Sequence, residues 1–231
     1  MIKQNQNFIH PLKIILEKIS LIPLTKQKTV SLLAVTKKTN AETVQELYDL
    51  GHRSFGENYV DEIIEKSSVL KNDIDWHFIG HLQSNKVKKL LQINNLTTIE
   101  SVDTLSLATT INKNCLTLDR RVNIYLQVNI SNEESKSGCK IDEVVKLYSE
   151  IKAKCDRINI LGIMALGTIG NTKEFELLYE LKEKIAKEND ISLDEVGISN
   201  GTSSDYEEAI KYGSTQVRVG SILFEKTNEK I

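Results

Sequence analysis

The sequence alternates short apolar runs with longer amphipathic stretches that are rich in Lys and Glu. Runs that are apolar on both faces and are separated by helical patterns indicate a parallel sheet, because helices cover both sides of such a sheet. Eight such runs predict eight strands, which are Val30–Thr36, Ser54–Gly56, Trp76–Gly80, Thr97–Val102, Val122–Asn129, Ile158–Leu166, Val196–Ser199 and Thr215–Val219.

Between these runs apolar residues recur with the spacing of amphipathic helices, as in Ala41–Leu50, Val60–Leu70, Lys86–Ile93, Ile141–Lys152, Lys173–Lys187 and Ser204–Lys211. Eight strand–helix units in 231 residues predict a compact (β/α)8 TIM barrel, a fold that usually takes about 250 residues. A doubly wound open sheet is the alternative, but the GxGxxG turn of that fold is missing after the first strand. The stretch from Phe8 to Ile22 is predicted to form an extra N-terminal helix, which could cover the bottom of the barrel.

The composition marks no domain boundary, because the chain has only 2 prolines, 11 glycines and no Ser/Gly-rich linker. We therefore expect a single domain over residues 1–231. The 30 basic and 32 acidic residues give a net charge of −2, which supplies no general attraction for nucleic acid or anionic lipid. An anionic ligand must be held by local groups.

Cysteine usage and the N-terminal residues bear on the cellular compartment. Cys115, Cys139 and Cys155 form no CxxC pair, so reduced thiols are expected rather than a disulfide framework or a zinc site. The N-terminal sequence MIKQNQNFIHPLK has amides and a proline where a secretory signal needs an unbroken apolar region. The longest apolar stretch, Ile160–Leu166, is far shorter than the roughly 20 residues of a membrane span. We expect a cytoplasmic protein with no nucleic-acid or membrane partner.

The residues that follow the predicted strands are the candidates for function, because chemistry in a (β/α)8 barrel takes place at the carboxyl ends of the strands. Lys37 follows the first strand, with apolar residues behind it. Partial desolvation favours the neutral amine of a lysine, which attacks aldehydes, although a solvated lysine at a strand end is the simpler interpretation. His77 and His81 suggest a zinc site, but the HExxH glutamate is absent and the segment is predicted as a strand. No metal is therefore predicted.

Two loops near the end of the sequence have the composition of an anion site. Ser199–Ser203 (SNGTS) follows the seventh predicted strand, and Arg218–Ser221 (RVGS) ends the eighth. Their glycines let main-chain N–H groups approach an anion, and their hydroxyls donate further hydrogen bonds. The loops after strands 7 and 8 are also where barrels most often hold phosphate. Each loop alone could be a capped turn, but the pair predicts a phosphate site.

A phosphate site opposite a strand-end lysine suggests pyridoxal 5′-phosphate (PLP) as the ligand. The aldehyde of PLP condenses with lysine, while amides and hydroxyls hold its phosphate. Arg218 fits this cofactor in a particular way, because an arginine stays charged and offers no carboxylate. It would donate to the pyridine nitrogen and leave it unprotonated, so the ring would be a weak electron sink.

Seven motifs carry a resemblance to a known family over nearly the whole chain. They are LLAVTK (32–37), FGENYVDE (55–62), WHFIGHLQSNK (76–86), NISNEESKSGC (129–139), GIMALG (162–167), ISNGTSSDYEEAI (198–210) and GSTQVRVGSILFEK (213–226). With these motifs the chain resembles the YggS/PROSC family of pyridoxal-phosphate homeostasis proteins, whose fold is that of the barrel domain of alanine racemase. The resemblance implies a single (β/α)8 barrel of the alanine racemase N-terminal type that binds PLP and is monomeric.

The resemblance also implies roles for residues of this sequence. Lys37 would be the Schiff-base lysine, Asn58 would line the cofactor, and Arg218 would face the pyridine nitrogen. His81 would lie near the pocket. The phosphate would be bound by residues of the two loops, with Gly201 in the same cofactor-binding set, which comprises Ser199, Gly201, Ser203, Gly220 and Ser221.

The chain departs from the family pattern in and after these loops. The family usually has SMGMS where this chain has SNGTS, so Asn200 and Thr202 make the loop more polar while both serines and the glycine are kept. Ser221 stands where threonine is common and preserves a hydroxyl. Glu225 replaces a common glycine, which could alter the final helix.

Three functions compete at this point. A PLP-dependent amino acid racemase needs an acid/base group on each face of the substrate α-carbon, and in alanine racemases the second group is a tyrosine from a separate β-domain. The chain ends at Ile231, about a dozen residues beyond the last predicted strand, so we expect no such domain. The favoured hypothesis is a carrier that holds PLP as a Schiff base and supplies it to apo-enzymes in vitamin B6 homeostasis, without robust catalysis. A barrel that binds a carbohydrate or nucleotide phosphate without Schiff-base chemistry is the third hypothesis.

Overall fold

Eight parallel strands pair in chain order in the computed structural model, which describes residues 10–133 and 136–224. They are β1 (Ser31–Val35), β2 (Ser54–Glu57), β3 (Asp75–Phe78), β4 (Leu96–Val102), β5 (Val122–Val128), β6 (Ile158–Ala165), β7 (Gly197–Ser199) and β8 (Gln216–Val219). Because β8 also pairs in parallel with β1, the sheet closes into a barrel. The predicted (β/α)8 barrel is confirmed, and the open-sheet alternative is wrong. Every predicted strand coincides with an observed one to within two residues at each end.

Helices connect the strands and surround the barrel. They are α1 (Pro11–Leu21), α2 (Ala41–Asp49), α3 (Val60–Val69), α4 (Val87–Leu90), α5 (Leu105–Thr117), α6 (Val144–Lys154), α7 (Thr172–Glu188), α8 (Tyr206–Lys211) and α9 (Ser221–Phe224), with 3-10 turns at Ser84–Lys86 and Leu193–Glu195. The helix α5 was not among the predicted patterns. No helix in the described ranges combines the length and the apolar character that crossing a membrane requires.

The apolar core lies between the outer face of the barrel and the helices. Val44 and Leu47 of α2 and Ile63 of α3 are fully buried against the strands. Phe55 of β2 and Trp76 of β3 are buried side by side, with their ring centroids 5.8 Å apart. Full burial of one such side chain contributes roughly 1.5–3 kcal/mol. This apolar layer holds the strands in place, and the two ends of the barrel are formed by loops.

Helix α1 precedes the first strand and packs on the side of the barrel. Ile15 and Ile19 are buried in the core, and the helix contacts α9. Lys18 lies 4.0 Å from Glu207 in the first turn of α8. Both α8 and α9 begin at the carboxyl ends of strands, so the expectation that this helix covers the bottom of the barrel is wrong. Phe8, its predicted first residue, lies outside the described residues.

The segment between α1 and β1 reaches the bottom of the barrel in place of the helix. Gln27 is buried there, and its Nε2 donates to the carbonyl oxygens of Ile210 at 2.7 Å and Ser214 at 3.2 Å. Those two residues belong to the end of α8 and the turn before β8, at the amino ends of the strands. Irregular chain, and not α1, therefore contacts the amino end of the barrel.

Candidate functional site

The predicted site residues lie at one end of the barrel. Because all eight strands are parallel, their carboxyl ends share one mouth. Lys37 follows β1, Asn58 follows β2 and His81 follows β3, whereas the two candidate phosphate loops follow β7 and β8. Lys37, His81 and Ser221 are exposed there, while Ser199 and Arg218 are buried below them. Among the described residues, no hydrogen bond or ion pair joins His81 to the other candidates.

The main chain just before Lys37 is held by a buried ion pair. Lys66 on α3 donates from its Nζ to the carbonyl oxygen of Thr36 at 2.7 Å and to Oε1 of Glu57 at 2.6 Å. The Thr36 hydroxyl donates to the same Glu57 oxygen at 2.7 Å. Burial raises the pKa of Glu57, and the hydrogen bonds from Lys66 and Thr36 oppose that rise. Glu57 therefore stabilises the wall of the barrel and does not act as a ligand group at the mouth.

The main chain just after Lys37 is held by the same helix. Lys38 has a φ of 60°, in the left-handed region, and its N–H donates to Oε2 of Glu62 at 2.9 Å. Glu62 and Lys66 are four residues apart on α3, so they lie on one face of the helix, and their charged groups are 3.6 Å apart. The two side chains fix the backbone on both sides of Lys37, which leaves only its side chain free to move.

Asn58 and Gly80 bring the ends of β2 and β3 together. A Cβ at Gly80 would lie 1.9 Å from the carbonyl oxygen of Asn58, so only glycine allows this approach. The Asn58 Oδ1 is buried and has no hydrogen-bond partner among the described residues. A buried amide oxygen without a partner costs free energy, so Asn58 has the capacity to bind one more donor.

The two candidate phosphate loops contact each other directly. The N–H of Gly220 donates to the hydroxyl oxygen of Ser203 at 3.1 Å. Gly201 has a φ of 93°, and a Cβ there would lie 2.6 Å from the Cβ of Ala209, so the turn requires glycine. Asn200 folds back on the loop through a 2.6 Å bond from the N–H of Gly201 to its Oδ1, and its Nδ2 is buried with no partner in the described chain. The loops form one polar cradle at the mouth.

Below the mouth, the barrel interior holds a hydrogen-bonded network centred on Glu100. Its Oε1 contacts Nδ1 of His77 at 2.6 Å and accepts from Nε2 of Gln216 at 2.7 Å. Its Oε2 accepts from the Ser199 hydroxyl at 2.6 Å. Burial alone would raise the pKa of Glu100, but the hydrogen bond and charge of His77 and the charge of Arg218 lower it below its usual value. The carboxylate is therefore charged in the folded protein.

Arg218 joins this network from β8. Its Nη1 donates to the carbonyl oxygen of Ser199 at 2.6 Å and to the Ser199 hydroxyl at 2.8 Å, and its Nη2 donates to the carbonyl oxygen of Ala165 at 2.8 Å. Burial lowers the pKa of Arg218, and the charges of Glu100 and Asp205 oppose that effect. The position of Arg218 near the mouth was predicted, but Glu100 and Gln216, which bind the same Ser199 hydroxyl as Arg218, were not.

His77 takes part in two ion pairs inside the barrel. Its Nε2 lies 3.4 Å from Oδ2 of Asp75, and its Nδ1 faces Glu100. In the described part of the chain no three His, Cys, Asp or Glu side chains group closely enough to hold a metal ion. The zinc hypothesis therefore has no support from His77 and His81, and the prediction of no metal stays a prediction.

Comparisons with known proteins agree with this architecture. The family model described as "Alanine racemase, N-terminal domain" matches residues 20–227. The structure is similar to that of PipY from Synechococcus elongatus PCC7942 solved with PLP bound, with a TM-score of 0.78 and 28% identity over 93% of this chain and 100% of that chain. An alanine racemase from Clostridium difficile 630 shares the fold at a TM-score of 0.72 and 16% identity, over 95% of this chain and 57% of that chain.

Curated relatives match most of the chain. The human protein named "Pyridoxal phosphate homeostasis protein" is 39% identical over 206 residues, which cover 84% of this chain and 75% of that protein. The protein of the same name from Schizosaccharomyces pombe is 40% identical over 203 residues, which cover 85% of this chain and 84% of that protein. The protein of the same name from Helicobacter pylori (strain ATCC 700392 / 26695) is 35% identical over 205 residues, which cover 87% of this chain and 90% of that protein. By this identity and coverage, the chain belongs to the family of pyridoxal phosphate homeostasis proteins, built on the alanine racemase N-terminal barrel.

Proposed function

We propose that this protein binds PLP at the carboxyl end of its barrel, with the aldehyde bonded to Lys37, and supplies the cofactor to apo-enzymes in PLP homeostasis. The observation that carries the proposal is the placement of Lys37 at the same mouth as the linked loops of Ser203 and Gly220. The names of the human and yeast relatives and the PLP-bound PipY structure support it.

The residues present at the mouth fit PLP. Lys37 offers an exposed amine on a fixed main chain. Asn58 offers a buried Oδ1 without a partner, and the cradle of Ser203, Gly220 and Ser221 offers hydroxyl and N–H groups for a phosphate. When bound, PLP supplies an aldehyde that condenses with an amine, releasing water, and a pyridine ring that withdraws electrons.

Each of these groups has a distinct task in the proposal. The Lys37 amine is the nucleophile, and α3 keeps its position relative to the mouth. Arg218 remains a cation and donates a hydrogen bond where the pyridine nitrogen lies, so that nitrogen receives no full proton. Charge-assisted hydrogen bonds from the cradle hold the phosphate. Asn58 and His81 line the pocket.

Two features favour a carrier over an amino acid racemase. Arg218, in the position proposed for it at the ring nitrogen, would weaken the electron withdrawal on which racemisation depends. The exposure of Lys37, His81 and Ser221 leaves the mouth open to water, which favours ligand exchange over the water-excluded chemistry of a catalytic PLP site. The relatives of 35–40% identity are named as homeostasis proteins, whereas the alanine racemases at 13–16% identity show only a shared fold.

The cellular form of the protein is part of the same proposal. We propose a cytoplasmic monomer consisting of one domain over residues 1–231. The three free, buried cysteines, Cys115, Cys139 and Cys155, suit a reducing compartment. Light scattering of the purified protein with and without PLP tests the monomer directly, and a stable dimer in both states would contradict it.

Covalent labelling tests the bond to Lys37. The protein incubated with PLP should gain a visible absorption band that the polypeptide lacks, and borohydride reduction followed by peptide mapping should place the adduct on Lys37. Lys37→Ala should abolish the band, whereas the matched control Lys38→Ala should keep it. An adduct on Lys38 would contradict the assignment, and PLP binding without any adduct would support a barrel that binds phosphates without a covalent bond.

A further inference from the structure

The two serines of the SNGTS loop have different surroundings. The Ser199 hydroxyl donates to Oε2 of Glu100 at 2.6 Å and accepts from Nη1 of Arg218 at 2.8 Å and Nε2 of Gln216 at 3.0 Å. A hydroxyl has one donor and two acceptor positions, so all of them are used. The Ser203 hydroxyl accepts one bond, from the N–H of Gly220, and within the described ranges its own O–H has no acceptor.

Glu100 is the anion between two buried cations. It is fully buried, and Arg218 is only 4% exposed. Glu100 contacts His77 directly and reaches Arg218 through the Ser199 hydroxyl. A buried guanidinium without a nearby anion is strongly destabilised. Glu100 therefore compensates the charge of Arg218, and Ser199 sets the distance between the two.

The guanidinium of Arg218 is fixed from two strands. Three of its five N–H groups donate to Ser199 at the end of β7 and to Ala165 at the end of β6. Two N–H groups remain for another acceptor. Since Ser199 contributes both its carbonyl and its hydroxyl oxygen, it determines the plane in which those two remaining groups lie.

We propose that Glu100 and Ser199 are positioning residues that aim the Arg218 guanidinium at the pyridine nitrogen of bound PLP, and that the Ser199 hydroxyl takes no part in holding the phosphate. The inference rests on the proposed function and divides the SNGTS loop into two tasks. Ser203 binds the phosphate, and Ser199 orients the arginine that faces the ring. This replaces the expectation, taken from the family resemblance, that both serines bind phosphate.

Three ligands and two matched variants test the proposal. The ligands are PLP, pyridoxal, which lacks the phosphate, and the 1-deaza analogue of PLP, in which CH replaces the pyridine nitrogen. Dissociation constants are measured from the visible absorption change for the wild type, Ser199→Ala and Ser203→Ala. Ser203→Ala should weaken PLP about tenfold more than pyridoxal. Ser199→Ala should weaken PLP and pyridoxal by the same factor, about three- to tenfold, and weaken the deaza analogue less.

The dependence on the ring nitrogen separates positioning from a purely structural role. A Ser199→Ala loss that is confined to PLP and the deaza analogue, with pyridoxal spared, would show that Ser199 binds phosphate and would overturn the proposal. An equal loss for all three ligands would show a general disturbance of the pocket and would also overturn it. A wild type that binds none of the ligands would instead refute the proposed function.

Glu100→Gln gives an independent test because it removes the charge while keeping the shape. It should weaken PLP more than Ser199→Ala does, and the loss should again be smaller for the deaza analogue. Thermal unfolding monitors whether the variant folds. If it does not, the Ser199→Ala series alone decides. A folded Glu100→Gln protein with wild-type affinity for PLP would overturn the role of Glu100.

Discussion

Individual buried charges set the chemistry of the barrel interior. His77 is almost fully buried, and burial alone would lower its pKa. Its contacts with Asp75 at 3.4 Å and Glu100 at 2.6 Å outweigh burial and raise the pKa of His77 to about 9. His77 is therefore a cation at neutral pH, paired with Asp75 and with Glu100, and Glu100 is linked to Arg218 through the Ser199 hydroxyl.

The charge of His77 predicts a pH dependence of stability. Its folded-state pKa of about 9 is above the ordinary value of 6.5, so its stabilising effect is complete below about pH 6.5 and is lost as the pH rises through about 9. The loss is at most about 3 kcal/mol, because one pKa unit corresponds to about 1.4 kcal/mol. NMR titration of the His77 ring should give a midpoint near 9, and urea unfolding should show the decline. A midpoint at or below 6.5 would contradict the ion-pair network.

At the residue scale, the members of this network show which parts of the site the sequence predicts and which it does not. Lys37, Asn58 and Arg218 follow or end apolar runs, so the sequence already places them at the mouth. Glu100 and Gln216 are polar residues inside predicted strands, and alternation along a strand indicates only which face they share. That Glu100 meets Ser199, 99 residues away, depends on closure of the barrel. No local pattern encodes that contact.

At the scale of elements, α3 acts as the support of the β1–α2 loop. Lys66 and Glu62 hold the main chain before and after Lys37, while Glu57 at the end of β2 balances the charge of Lys66. These contacts require that α3 packs beside the strands at a fixed position along the barrel axis. The strands and most of the helices were predictable because each has its own apolar pattern. The contact between α3 and the loop was not predictable from the sequence, because Lys66 and Glu62 resemble ordinary solvated residues of an amphipathic helix.

The buried pair gives a prediction about this support. Lys66→Met leaves the Glu57 carboxylate buried without a cation, so it should lower the free energy of unfolding by about 3–5 kcal/mol, as measured by urea denaturation. It should also weaken PLP binding, because the carbonyl of Thr36 loses the hydrogen bond that holds it.

Lys89→Met is the matched control, because Lys89 pairs with Asp61 at the surface, where a pair is worth about 1 kcal/mol or less. The double variant Lys66→Met with Glu57→Gln should recover part of the loss. Equal costs for the two lysine variants would refute the role of α3.

At the scale of the whole molecule, one barrel places a buried hydrogen-bonded network below an exposed mouth. The network comprises Glu100, His77 and Arg218 inside the barrel, and the mouth carries the exposed side chain of Lys37. A hydrogen-bonded network orients a ligand, and an exposed mouth lets it leave. This combination suits storage and transfer of a cofactor, whereas a catalytic PLP site must exclude water to suppress side reactions.

The open mouth leads to a prediction about the loaded protein. Incubated with each enantiomer of the common amino acids, it should racemise none of them and form no pyruvate-type product at an enzymatic rate. Mixed with an apo form of a PLP-dependent enzyme, it should restore the activity of that enzyme. A phosphatase added to the mixture destroys free PLP and so distinguishes direct transfer from release into solution. Lys37→Ala, treated with PLP and desalted in the same way, is the control and should restore little activity. Turnover of an amino acid at about 1 s⁻¹ or faster, the low end for ordinary enzymes, would contradict the carrier in favour of a racemase, because an uncovered mouth would then be compatible with efficient catalysis.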